Sequence, residues 1–150
     1  MRAVIQRVSK ASVNINQKEF SKINQGMLVL IGVETEDTLE DVNWLANKIL
    51  SLRIFSDKEN RMNKSIIDIH GEILVVSQFT LHAKIKKGNR PSYIRSAKPE
   101  KAIILYNRFI ESISLEIGDK LASGNFGADM QISLTNNGPV TIFIDTKVRE

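Results

Sequence analysis

Residues 27–33, MLVLIGV, run for seven positions without a charge or a polar side chain. A strand that is apolar at every position, not at every second one, belongs in the buried middle of a sheet. The rest of the fold has to be built around it.

The flanking segments supply neighbours. RAVIQRV (2–8) puts Val4, Gln6 and Val8 on one face and Ala3, Ile5 and Arg7 on the other, the period of two of a strand, and ASVNI (11–15) follows closely. RIFSD (53–57) and EILVVSQFTL (72–81) read as further strands, with a turn at Gly71 between them. Two stretches change period. Thr38 offers an N-cap with Asp41 three positions on, and Leu39, Val42, Leu45, Ile49 and Leu52 form a stripe, which predicts a helix over 39–52 with Trp44 packed beside it. Pro99 suits the first turn of a second helix, whose stripe of Ala102, Tyr106, Phe109, Ile110, Ile113 and Ile117 stops at Gly118. The last third predicts two strand segments on either side of Gly138–Pro139. The expected fold is therefore α+β: a single domain, 1–150, with a twisted, mostly antiparallel or mixed, barrel-like sheet packed with two main helices, not a doubly wound parallel sheet.

A chain of 150 residues buries enough surface to hold a core unaided, and the absence of cysteine excludes disulfides and thiolate metal sites. No apolar run approaches the roughly 18 residues of a membrane span, and the N-terminal stretch alternates instead of carrying a signal peptide's apolar core. A soluble protein of the cytoplasm is expected. The net charge of +4 is unevenly spread: Lys84 to Lys101 holds seven cations against Glu100, leaving a slightly acidic body. Such a segment is either a solvated loop or an address for a polyanion, phosphate backbone being the commonest.

Conventional catalytic groups are scarce. His70 and His82 are the only histidines, a pair too sparse for a good metal site, and no P-loop, nucleophile elbow or dinucleotide fingerprint is present, so no metal and no cofactor is expected. In VVSQFTLHA (75–83) an apolar strand turns polar at Ser77, Gln78 and Thr80, which places hydroxyls and an amide where they can bind a ligand without titrating; a bulge or solvated edge strand is the plainer reading. SLTNNGPVTIFI (133–144) poses the same choice. Gly138–Pro139 is either the tip of a hairpin or a stiff finger placed to touch something.

Taken together, IQRV, LVLIGV, RIFSD with a following MN, VVSQFTL, KGNRPSY, FGADMQISL and NNGPVT resemble the D-aminoacyl-tRNA deacylases, in order and spacing, over essentially the whole chain. The Ser-Gln-Phe-Thr stretch at 77–80 and the Asn-x-Gly-Pro-Val-Thr stretch at 136–141 are the two signatures. The resemblance implies a homodimer that hydrolyses D-aminoacyl-tRNA, and also glycyl-tRNA, as chiral proofreading in translation. Its implied catalytic residues are Ser77, Gln78, Phe79 and Thr80, faced by a cis Gly138–Pro139 from the other subunit. Arg7, Met130 and Asn136 would support that loop; Lys87, Arg90 and Arg95 would meet tRNA phosphates, and Phe79 would line the pocket for the terminal adenosine. No activating base for Thr80 is evident, which favours water attack assisted by the ribose 2′-OH over a threonine nucleophile. Lys84, Asn137 and Tyr93 depart from the commoner family residues; neither Lys84 nor Asn137 removes a required group. The implied partners are tRNA and a second copy, with no membrane and no DNA. The competing readings are a noncatalytic tRNA- or RNA-binding module, and a structural dimer in which Gly138–Pro139 is only an interface turn.

Overall fold

The computed structural model describes residues 1–86 and 88–149. Strand β1 (Arg2–Ile15) turns at Asn16 and Gln17, both with positive φ as a two-residue hairpin turn requires, into β2 (Lys18–Ile23). β3 (Gly26–Gly32) continues in the same direction, so β2 and β3 lie end to end along one edge of β1: Ala11 is opposite Ile23, Val8 opposite Gly26, and Arg2 opposite Gly32. β6 (Glu72–Ser77) runs parallel to β3, and β7 (Leu121–Ser123) parallel to β6. The other edge of β1 is covered by β8 (Gln131–Asp145). Ser21 Oγ donates to the Ser123 carbonyl at 2.9 Å, drawing β2 to β7 and nearly closing the sheet into a barrel.

This curvature explains the apolar run that opened the sequence. Met27, Val29 and Ile31 join Ala3, Ile5, Ile73 and Val75 against helices α1 (Leu39–Ser51) and α2 (Pro99–Ile117). Leu28 faces the other way, into a smaller cluster with Val8, Val13, Leu74 and Val76. Both faces of β3 are dry because helices cover one and the curled sheet covers the other. The α+β expectation, with a mixed barrel-like sheet and two helices, is what the chain adopts. Among the described residues no helix is long and apolar enough to cross a membrane.

Three local expectations need correction. RIFSD contracts to β4 (Phe55–Ser56), paired with a short β5 (Met62–Lys64) that has no clear sequence signal. The strand expected over 72–81 stops at Ser77, and Phe79–His82 form a turn of 3₁₀ helix. Gln78 N–H donates to the Ile31 carbonyl at 2.7 Å, the last link to β3. The next acceptor along that edge, the Val33 carbonyl, already receives Ala97 N–H at 3.0 Å, so the chain winds up on itself, with Leu81 N–H bonding Gln78 and Ala83 N–H bonding Thr80.

The third correction concerns the two strands expected on either side of Gly138–Pro139, which are one strand and not the arms of a hairpin. Both flanking segments belong to β8 and pair with β1: Thr141 is opposite Gln6 and Asn136 opposite Val8, so residues 137–140 bulge out across from Arg7.

Candidate active site

The polar residues at the exit of β6 open onto a cleft of about 660 Å³ between the sheet, the N-terminal half of α2 and the segment before β8. Ser77, Gln78 and Phe79 form its rim. Its floor is apolar, with Ile31, Val76, Tyr106, Phe126 and Met130. Tyr106 donates its hydroxyl to the Val75 carbonyl at 3.1 Å, and burial pushes its phenol pKa up, so this group is a fixed donor rather than a proton carrier. Phe79 is exposed and packs edge-on against Tyr93, ring centroids 5.0 Å apart. Ser96 Oγ donates to the Phe79 carbonyl at 3.0 Å.

The Thr80 side chain does not line the cleft. Its hydroxyl oxygen accepts a bond from Gln78 Nε2 at 2.6 Å, which places it behind the amide. His82, two residues on, is fully buried, and among the described residues neither ring nitrogen has a well-formed hydrogen bond; burial drives its pKa below the ordinary imidazole value, outweighing the Gly32 backbone and Glu34, which favour the charged form, so it is neutral near pH 7.

The Gly138–Pro139 peptide is cis, and both residues are exposed. Two side chains build the loop. Asn136 stands in for a missing strand partner: its Oδ1 accepts Val140 N–H at 2.8 Å and its Nδ2 donates to the Val140 carbonyl at 3.1 Å. Arg7 donates through Nε to the Asn137 carbonyl at 2.7 Å and through Nη1 to the Ile54 carbonyl at 2.6 Å. Gly138 has φ +150°, and a Cβ there would lie 2.8 Å from Val140 Cγ2 and 3.1 Å from Arg7 Nη2, so the position admits only glycine without distortion. The loop is remote from its own chain's cleft. Arg7 pairs with Met27, and Met27 with Ile73, which lies four residues before Ser77. That is roughly 13 Å along the strands, with three strand spacings of about 4.8 Å across.

Of the basic segment, Lys87 lies outside the described residues. Lys84 and Ser92 exchange backbone bonds of 2.8 and 3.0 Å, folding the segment back on itself with Arg90 exposed at its end. Arg95 is also exposed, but two of its nitrogens turn inward: its Nε and Nη2 donate to Glu34 Oε2 at 3.1 and 2.8 Å.

Comparison with known proteins decides the family. The model of the family described as D-Tyr-tRNA(Tyr) deacylase matches residues 4–145. The chain belongs to this deacylase family. A protein of Flavobacterium psychrophilum named D-aminoacyl-tRNA deacylase is 58% identical over 150 residues, the whole of both chains. Among solved structures, one named c-Myc DNA Unwinding Element Binding Protein superposes with a TM-score of 0.93 at 40% identity, covering 97% of this chain and 98% of that one. Another, described as a probable eukaryotic D-amino acid tRNA deacylase, gives 0.81 at 19% identity over 95% and 97%, a likeness of fold.

Within this member of the deacylase family, the fold brings together Ser77, Gln78, Phe79 and Met130, and separately Arg7, Asn136, Gly138 and Pro139. It does not bring the two groups together in one chain. The sequence reading missed Tyr93, Ser96 and Phe126 as cleft residues, and Glu34 as the buried partner of Arg95. Tyr106 carried no signal of its own, because its spacing fits the core stripe of α2.

Proposed function

We propose that this protein is a hydrolase of D-aminoacyl-tRNA that cleaves the ester between a D-amino acid and the terminal ribose, and that it also accepts glycyl-tRNA. The observation that carries the reading is the match of the deacylase family model across residues 4–145. The cleft suits the chemistry. An aminoacyl ester is already activated, so its hydrolysis needs a positioned water and donors for the developing oxyanion more than a strong base. The N–H groups of Phe79 and Thr80 open a 3₁₀ turn, where backbone donors lack an earlier carbonyl of that helix to bond. The apolar floor and the Phe79 and Tyr93 rings offer stacking and burial to the terminal adenosine. Thr80 is occupied by Gln78 and, among the described residues, bonds no base, which favours water activated by the ribose 2′-OH over attack by threonine.

Chirality is read, in this proposal, by Gly138–Pro139 of a second copy. The loop is exposed and built rigidly by Arg7 and Asn136, yet it is too far from its own cleft to act there. The strand that carries it, β8, also exposes Leu134 and Phe143, apolar side chains suited to burial in a dimer. A backbone wall facing the α-carbon admits a D side chain or glycine and collides with an L side chain. Arg90, with Lys87, meets acceptor-stem phosphates, and the protein works in the cytoplasm, where translation takes place.

The test is hydrolysis of D-tyrosyl-, L-tyrosyl- and glycyl-tRNA by the purified protein, with sedimentation velocity on the same sample. The expected result is a dimer that cleaves the D and glycyl esters and spares the L ester. Equal cleavage of both enantiomers, or full activity as a monomer, would refute it. A nucleic-acid-binding module without hydrolysis is the second reading, favoured by the 40% identical structure, which is named for binding a DNA unwinding element; it requires binding of charged and uncharged tRNA with neither being cleaved.

A further inference from the structure

We propose that Arg95, paired with the buried Glu34, is a positioning residue that holds Phe79 and its turn against the substrate, and not a contact to tRNA phosphate; the inference rests on the deacylase reading above. Glu34 is 4% exposed, and a carboxylate buried to that degree requires a cation. His82 is the nearby alternative, but its Nδ1 stands 3.9 Å from Glu34 Oε2, beyond hydrogen-bond distance, and burial keeps the ring neutral. Among the described residues, Arg95 alone places cationic nitrogens within hydrogen-bond distance of Glu34, at 2.8 and 3.1 Å. Two of its three nitrogens are thereby directed into the protein.

The backbone around Arg95 is fixed on both sides. Its carbonyl accepts Thr35 N–H at 3.0 Å, and Ala97 N–H donates to the Val33 carbonyl at 3.0 Å. Between these bonds sits Ser96, whose Oγ donates to the Phe79 carbonyl at 3.0 Å and whose N–H bonds the Tyr93 carbonyl at 2.9 Å. The Tyr93 ring then meets the Phe79 ring edge-on. Phe79 is thus gripped at its carbonyl and at its ring by the residues flanking Arg95, and the grip depends on the Glu34 pair. A peptide group that donates to an oxyanion must be placed to a fraction of an ångström.

Steady-state kinetics on D-tyrosyl-tRNA over a range of salt concentrations tests this with Arg95→Ala, Arg95→Lys and Glu34→Ala. Arg95→Ala is expected to lower kcat by roughly 10- to 100-fold, the scale of an ångström of misplacement, with KM and its salt dependence little changed. Glu34→Ala, which frees Arg95 to solvent and leaves no buried charge behind, is expected to lower kcat similarly, while Arg95→Lys restores most of it. A phosphate contact behaves oppositely: Arg95→Ala raises KM and lowers the salt slope by about one, and Glu34→Ala leaves kcat intact. Either of those results overturns the assignment. If Arg95→Ala does not fold, Glu34→Ala and Arg95→Lys decide by the same split. A wild-type protein inactive on every D-aminoacyl-tRNA removes the deacylase reading and this inference together, whereas an active wild type with an unimpaired Glu34→Ala removes this inference alone.

Discussion

Replacing Arg7 with methionine isolates the tether of the Gly138–Pro139 loop. Methionine keeps most of the stem's packing while deleting the guanidinium and its bonds to the Asn137 and Ile54 carbonyls. The Ile54 bond is partly buried and charge-assisted, so its loss costs about 1.5–3 kcal/mol; the exposed bond to Asn137 exchanges with water and is worth about 0.5. The sum, about 2–3.5 kcal/mol, corresponds in a domain of this size to a fall in Tm of roughly 5–10 °C. Calorimetry measures that part. Under the proposed function the same variant loses selectivity as well, because a wall untied from Ile54, in the segment between α1 and β4, yields to an L side chain. The ratio of D- to L-tyrosyl-tRNA hydrolysis is therefore expected to fall at a temperature where the variant remains folded. A Tm within about 2 °C of wild type, together with an unchanged D/L ratio, would refute the reasoning.

Other perturbations probe separate parts of the molecule. Gly138→Ala forces a Cβ against Val140 and Arg7, and is expected to lower D/L selectivity more than it lowers Tm; because the clash involves Arg7 Nη2, its effect combined with Arg7→Met should be smaller than additive. Thr80→Ala is expected to reduce kcat modestly, and abolition of turnover with the fold and tRNA binding intact would restore the nucleophile mechanism. His82→Leu replaces with apolar surface two buried nitrogens that lack a well-formed hydrogen bond among the described residues, and should raise stability by about 1–3 kcal/mol in denaturant unfolding. That gain should grow as pH falls below the unfolded imidazole value of 6.5, where the unfolded wild-type chain takes up a proton that the folded one resists. Asp41 works in the same direction, at lower pH. Burial alone would raise its pKa, but bonds from Lys147, Thr146 and the Thr38 N–H hold it well below 3.8, so it stabilises the fold above that pH and loses the effect on acidification. Asp41→Asn should therefore narrow the stability difference between pH 7 and pH 3.

Much of the architecture was legible in the residues themselves. Thr38 with Asp41, Pro99 and Gly118 mark helix ends because capping acts within a few residues of the backbone it satisfies: the Asp41 carboxylate reaches the Thr38 N–H at 2.9 Å, and Gly118 closes α2. The unbroken apolar run 27–33 required two covered faces wherever the chain went. The signatures at 77–80 and 136–141 marked both halves of the proposed site. What local pattern could not decide was the partner of each group. Phe79 and Leu81 alternate with Gln78 and Thr80 as a strand would, yet Ala97, distant in sequence, takes the Val33 carbonyl and the strand becomes a 3₁₀ turn. Arg95 reads as one cation of a basic loop until the fold sets it beside Glu34, 61 positions away. Gly138–Pro139 reads as a turn, and only the pairing of both its flanks with β1 makes it a bulge, remote from its own cleft. Backbone preference is settled among neighbouring residues, whereas a hydrogen bond or ion pair goes to whichever group the folded chain brings within about 3 Å, and that competition is won across the whole molecule.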